Sequence, residues 1–591
     1  MQFMENIYRQ RIERLRGLMR SRNWDAVLIT GGDPHCSEYP AERWKQVRWL
    51  SGFTGEAGDL VVTLDHAGLW TDTRYFIQAV RQLEGTGVEM HKTRVPEQVL
   101  IPEWLGRQFG SDGIIAVDGL CTGADFAKSL PGTVVSVPDM LSLLWDDRPE
   151  IPCTPVFTVS AGETRASKLD WLRGFLAGRD CDGMLVTALD EIAWLLNVRA
   201  ADIEYNPLVI SYLLVTDDSV EWYVRKDGEE DPRTSATMSI LESEGISVLA
   251  YSEAEQSLSA FRGRLFVDTS TLNWSLYEAL VTGEVSLLEG TSPIGLRKAV
   301  KNSFEIEGMR NIHVMDGVAM ERFLYWLEKS VQSGRVVTEW DAAVMLGRLR
   351  SEIPEYMGDS FETISAYGPA AALPHYVTPR ENAPVLREQG LYLCDSGGQY
   401  SCGTTDITRT VPLGECTRLE SEDYTLVLKG HIDLAMAVFP AGTSGCLIDC
   451  LAREPLWRCM RNFGHGTGHG VGYFLGVHEG PQDIRQNFNP TPLEPGMITS
   501  DEPGIYREGM HGVRHENLLL CVDAGSNEFG SWRMFETLTL CHFDTSVLIA
   551  GLLTDAERQW LNDYNARVFE TLGKFLSEDE RQWLHYKTRK I

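Results

Sequence analysis

The first twenty residues place Ile7, Ile12, Leu15 and Leu18 or Met19 at helical spacing. Two apolar runs follow, AVLIT at 26–30 and LVVTL at 60–64, which read as strands. A proline-containing stretch, DDRPEIPCTPV (146–156), interrupts that rhythm and reads as a linker. The alternation then restarts with helix KLDWLRGFLAGR from 168, strand GMLVTA from 183, helix DEIAWLLNV from 190, and strands LVISYLLV from 208 and RLFVD from 264. The two stretches use similar strand and helix types, as a duplicated fold would. The predicted class is α/β, with domains at 1–152 and 153–295 ahead of a third at 296–591.

The third domain opens on a long amphipathic helix. Asn302 or Ser303 can cap it, and Ile306, Met309, Ile312, Met315, Ala319, Phe323 and Trp326 step by three or four along one face. SFETISAYGPAAALPHYVTP (360–379) gives strand and turn signals, and FETLTLCHF (535–543) reads as a strand. TDAERQWLNDYNARVFETLGKFL and SEDERQWLHYK carry caps and apolar spacing, so the chain is expected to close, from about 548, in a helical appendix.

Composition narrows the partners. The 591 residues are 43% hydrophobic and 23% charged, enough for several cores. The formal net charge is −30, from 54 Lys+Arg against 84 Asp+Glu, with no basic cluster, which argues against nucleic acid or an anionic membrane surface. The amino terminus is charged where a signal peptide needs an apolar core, and no apolar run reaches the ~18 residues of a membrane span. Twelve cysteines without CxxC pairs fit reduced thiols. A soluble, cytoplasmic protein is expected, in which the sequon Asn273-Trp274-Ser275 has no consequence. His35, alone in a turn-rich segment, reads as structural.

Three stretches carry chemistry. LYLCDSGGQYSCGTTDITRTVPLG (391–414) puts Asp395 and Asp406 on the two strands of one predicted hairpin, able to point at one spot; Cys394 and Cys402 read as small hairpin residues. GHGTGHGVGYFLGVHEGP (464–481) offers His465, His469 and His478 among alternating glycines that let backbone approach a ligand, and no phosphate-loop pattern fits it. MITSDEPGIYREGMHGVRHENLLLCV (497–522) sets Glu502 and Glu516 at strand ends. Buried acids need partners or metal, and four carboxylates, about −4, would be balanced by two divalent cations. Oxygen-rich ligation with one imidazole and no thiolate favours a hard or borderline ion over structural zinc.

These motifs, as DSGGQY..GTTDITRT, GHGTGHGVG.F..VHEGP and DEPG.Y…G.R.EN, resemble the pita-bread metallopeptidases. Within them they are most similar to the three-domain Xaa-Pro aminopeptidases. HAGLWTDTRYFIQA and DEIAWLLNVRAADIEYNPLVISYLLV extend the resemblance to both earlier domains. It implies two α/β domains ahead of a pita-bread (α+β) catalytic domain, a homodimer, and two manganese ions that cobalt or zinc could replace. By resemblance, Asp406 and Glu516 bridge the ions, Asp395 completes one, and His469 with Glu502 completes the other. A hydroxide between them would attack the bond after the first residue of peptides with a free amino terminus and proline second. Glu502 would also relay the proton, His375 and His478 would orient the carbonyl or stabilise its oxyanion, and His465 would shape the proline pocket. Tyr506 and Arg514 would hold Asp395. A prolidase-type dipeptidase shares the metal set, and an inactive binding module would typically lack several of the ligands. His511 and His515 receive no role.

Overall fold

The doubled helix–strand rhythm folds as two six-stranded sheets of one design. The protein is seen here in a computed structural model that describes residues 2–225 and 231–591, in two compact units, Met1–Ile294 and Gly295–Ile591. In the first sheet the order is Glu89–Lys92, Ala67–Thr71, Gly58–Thr63, Ala26–Ile29, Ile114–Val117, Thr133–Ser136; in the second it is Ile246–Ala250, Val220–Val224, Ser211–Thr216, Gly183–Val186, Arg264–Val267, Ser286–Glu289. The founding strand of each runs antiparallel to the second and parallel to the fifth, and the outer pairings match in sign. The similarity of elements read from the sequence is thus one topology used twice.

The two halves meet through equivalent turns. After its fifth strand each half makes an Asp-led turn, DGLCTG from 118 and DTSTLN from 268. Ala124 N–H donates to Leu272 O and Trp274 N–H to Thr122 O, both at 2.8 Å. Because 272 − 122 = 274 − 124 = 150, the seam is close to two-fold symmetric. Beside it the buried His35 has Nδ1 2.9 Å from Thr187 O and Nε2 3.0 Å from the Tyr251 hydroxyl, a satisfied structural histidine.

The second unit is built around helix Ser303–Gln332. Asn302 supplies its cap, accepting from Phe304 and Glu305 N–H while Glu305 reaches back. Its inner face, including Met320, Phe323 and Leu327, shares one core with Tyr392, Tyr424, Val427, Leu561, Val568 and Leu572. The last three lie on helix Asp555–Leu572, the first of the two closing helices, so the expected appendix is part of the core. Each such buried side chain contributes about 1.5–3 kcal/mol.

The 391–414 hairpin forms with one change. Leu391–Ser396 pairs with Ile407–Pro412, and Asp395 faces Thr408. The connection folds outward as Gly398–Tyr400 and Gly403–Thr404, which join Tyr356–Asp359 in a separate sheet. Asp406 therefore sits in the corner before the returning strand rather than on it. The predicted strand 535–543 also ends early, at Thr537 of Gly530–Thr537. Beyond it the carbonyls of Cys541 and His542 accept from the Arg409 guanidinium.

The alternating glycines serve strand packing. Gly468–Gly470 lies between Glu479–Ile484 and Ile498–Asp501 in a six-stranded sheet. A Cβ at 468 would overlap the Ser500 carbonyl oxygen, and one at 470 that of Glu479. The close approach is between backbones, where the sequence suggested a ligand.

Helices Arg418–Ala435 and Asp449–Trp457 touch in the same way, with Gly430 against the Ala452 carbonyl. Gly430→Ala is expected to destabilise the unit by about 1–3 kcal/mol through overpacking. Gly347→Ala, at a helical position with open space, should be neutral or stabilising by up to about 1 kcal/mol; thermal unfolding of the two variants side by side checks the contrast.

Candidate metal centre

Side chains from three stretches of sequence, spread between Asp395 and Glu516, come together. Asp406, His469 and Glu516 each offer one ligand atom within 4.8 Å of the others. His469 Nδ1 donates to its neighbour's carbonyl, Gly470 O, at 2.9 Å, which leaves the Nε2 lone pair facing Asp406 Oδ2 at 3.4 Å and Glu502 Oε1 at 3.5 Å. Those separations suit atoms sharing one cation at bonds of roughly 2.1 Å better than they suit a hydrogen bond. Local folding explains each position. Glu502 follows strand Ile498–Asp501, Glu516 precedes Asn517–Asn527, and His469 is the middle residue of its glycine-flanked strand.

Burial dominates the electrostatics. It pushes Asp395 above the ordinary carboxyl range, with Arg514 pulling it back and Asp406 pushing it further. Glu502 is raised to about 7 by burial, with Asp406 and Asp395 adding to the rise and His469 and Arg514 opposing it. Glu516 is pushed well up by burial and then by Asp406, Glu502 and Asp395. Asp395 Oδ1 is buried with no hydrogen-bond partner among the described residues. Crowded acids with an orphaned oxygen are what a cation centre leaves when only protein atoms are considered, so the residues fit two divalent ions.

A hydrogen-bonded chain backs the ligands. Arg514 Nη2 donates to Asp395 Oδ2 at 2.6 Å, and its Nη1 to the Tyr506 hydroxyl at 2.7 Å. That hydroxyl lies 2.8 Å from His465 Nε2, while His465 Nδ1 donates to Gly466 O at 2.7 Å. Burial, with Arg514 next, depresses the His465 pKa well below its usual value, so the ring is neutral and Nε2 is an acceptor. Tyr506 therefore accepts from Arg514 and donates to His465. Of the two residues expected to hold Asp395, Arg514 does so directly and Tyr506 only through Arg514. Arg514 Nη2 also donates to Pro374 O at 3.3 Å, which ties down the turn presenting the half-buried His375. The His478 ring lies 4.2 Å from that of His469.

His511 and His515 lie outside the ligand group. His511 Nε2 is 2.8 Å from Asp423, and His515 packs edge-on to Tyr424 and Phe543. The sequence reading missed Thr408 and Ser500. Thr408 donates to Glu516 Oε2 at 2.8 Å and accepts from Arg514 Nε at 3.2 Å; Ser500 donates to Glu502 Oε1 at 3.2 Å. Thr408 had a signal, since it follows Asp406 by two at a strand's start and so shares its face.

Fold and ligand set together define the class as a metallopeptidase. Residues 307–523 match the model of metallopeptidase family M24 and 531–591 that of its C-terminal region. Residues 11–144 and 147–305 each match a creatinase/prolidase N-terminal domain. A probable Xaa-Pro aminopeptidase P of Coccidioides posadasii is 39% identical over 612 residues, 98% of this chain and 93% of that relative. One from Paracoccidioides brasiliensis is 37% identical, covering 98% and 99%. The crystal structure of X-prolyl aminopeptidase from Caenorhabditis elegans, described as a cytosolic enzyme with a di-nuclear active site, superposes with a TM-score of 0.93 at 34% identity, covering 98% and 99%. The chain belongs to the Xaa-Pro aminopeptidase P family of M24 metallopeptidases.

Two outcomes are expected of the centre. A carboxyl raised in the fold stabilises it while protonated; for Glu502 this is complete below its ordinary value near 4.5 and lost as pH rises through about 7. Metal-stripped protein should melt lower at pH 8 than at pH 6, and saturating manganese should abolish or invert that difference. Thr408→Val, close in shape, should weaken metal binding about 10-fold or more, measured by competition with a chelating indicator.

Proposed function

We propose that this chain removes the first residue from peptides carrying proline second, using two divalent metal ions. The convergence of Asp406, His469 and Glu516, with Glu502 3.5 Å from His469 and Asp395 Oδ1 without a hydrogen-bond partner among the described residues, carries the proposal. Asp395, Asp406, His469, Glu502 and Glu516 would hold the ions. When bound, the ions supply Lewis acidity that polarises the scissile carbonyl and lowers the pKa of the attacking water.

The remaining steps fall to the chain's own residues. Glu502, raised towards neutrality by burial, is suited to taking a proton and passing it to the leaving amine. His478, beside His469, and His375, on the turn fixed by Arg514, would orient the carbonyl and stabilise its developing charge. Neutral His465, held by Tyr506, would present a fixed face to a proline ring, which has no N–H to be recognised and must be selected by shape. Manganese as the native metal, a homodimer, a cytoplasmic location and the three-domain division at 152 and 295 belong to the same proposal. The oxygen-rich ligand set supports manganese, and kinship supports the rest.

Metal analysis after manganese loading should give two ions per chain. Arg-Pro-Pro should be cut between Arg and Pro, with Gly-Pro a poor substrate, and Asp406→Asn should lose at least about 100-fold in kcat/KM. Preference for Gly-Pro would favour the dipeptidase reading, and absence of both metal and activity would favour a binding module.

A further inference from the structure

Asp423 is a fully buried carboxylate on helix Arg418–Ala435, apart from the metal ligands, and it gathers two arginines and a histidine. Arg507 Nε and Nη2 reach it at 2.5 and 3.0 Å, His511 Nε2 at 2.8 Å, and Arg461 Nη1 at 2.9 Å. Burial alone would raise its pKa, but His511 and Arg507 hold it below the ordinary range, so it stays an anion.

The origin of the three partners gives the cluster meaning. Arg507 and His511 are directly opposed at the closed end of the hairpin Gly504–Arg507/His511–Arg514, whose strands also carry Tyr506 and Arg514. Arg461 begins the segment leading to His465. Those two segments meet at the Tyr506–His465 hydrogen bond. Through its own Gly512 the hairpin also packs against the backbone of Ala371, whose carbonyl oxygen a Cβ would overlap, just before the turn that presents His375. The hairpin is thus held by packing at Gly512 and by Asp423 at its closed end.

We propose that Asp423 is a positioning residue for the metal centre. It fixes the hairpin relative to the His465 segment, so that the His465–Tyr506–Arg514 chain holds the Asp395 carboxylate in one orientation. The proposal rests on the metal-centre reading above. A polar cluster that only stabilised the fold would have no reason to draw all of Asp423's partners from these two segments.

The test uses the full chain loaded with Co2+, whose visible absorption reports ligand geometry without substrate. Asp423→Asn should shift or weaken the cobalt band. On the manganese enzyme, kcat for Arg-Pro-Pro should fall about 10-fold, the scale of losses from outer-sphere supports, with KM nearly unchanged. Combining it with Tyr506→Phe should cost less than the product of the single losses, because both act on one chain. A wild-type spectrum and kcat in Asp423→Asn, assayed well below its unfolding midpoint, would overturn the proposal even if that midpoint dropped. Multiplicative losses would overturn it too. If Asp423→Asn does not fold, His511→Asn, which leaves Asp423 two cations, is judged by the same criteria. A wild-type chain that takes up no cobalt would overturn the metal-centre reading itself and this proposal with it, an outcome distinct from a wild-type spectrum that the variant leaves unchanged.

Discussion

Mutual repulsion among four carboxylates gathered around one imidazole is the constraint to which the second unit answers. Two like charges 4 Å apart cost about 4 kcal/mol at an effective dielectric of 20, and several such pairs together rival the ~5–15 kcal/mol that hold a domain together. One guanidinium, Arg514, hydrogen-bonds to Asp395 and opposes the rise of Glu502. The rest of the charge must be met by cations or by protons; burial first, and the neighbouring acids after it, push Glu502 and Glu516 towards the protonated form. The scaffold must keep the oxygens close against that repulsion.

The strand Ile407–Pro412 does much of this by simple alternation. Thr408 and Thr410 face the centre, the first bonding Glu516 and the second the Arg514 carbonyl. Arg409, pointing the other way and fully buried, donates to the carbonyls of Glu516, Cys541 and His542, to Asn517 Oδ1 and to the Tyr564 hydroxyl, with its guanidinium over Phe543. One face of the strand thus shapes the ligands while Arg409 on the opposite face fastens them to the segment after Thr537 and to Tyr564 of helix Asp555–Leu572. The uncharged donors and acceptors around Arg409 let a buried cation serve as a fastener without adding to the acids' electrostatics.

What the sequence disclosed is what local chemistry determines. The cap at Asn302, the acids at strand ends, the repeated α/β rhythm and the metal-type residue set all follow from short-range pattern. What it hid depends on long-range partners. Arg514 and Asp395 are 119 residues apart, and His511 and Asp423 are 88 apart, so neither pairing has a local signal. The glycines of the histidine loop looked like room for a ligand because their neighbours, the backbones of Ser500 and Glu479, belong to strands that pair only in the fold. The residues after Thr537 have strand composition, but Arg409 takes their carbonyls. Burial of Leu561 and Val568 against Tyr424 likewise could not be told from ordinary amphipathic helix spacing.

The order of these parts along the chain has a consequence for biosynthesis. The first unit has its own sheets and cores and emerges before any ligand beyond 295, so it can fold during translation without metal. The second unit cannot close until its last two helices leave the ribosome, because Leu561, Val568 and Leu572 of one and Trp583 and Leu584 of the other belong to its core. Metal capture is therefore a late maturation step. In a cell starved of the ion, newly made chains would carry a finished front half and a strained rear half, and quality control would meet them there.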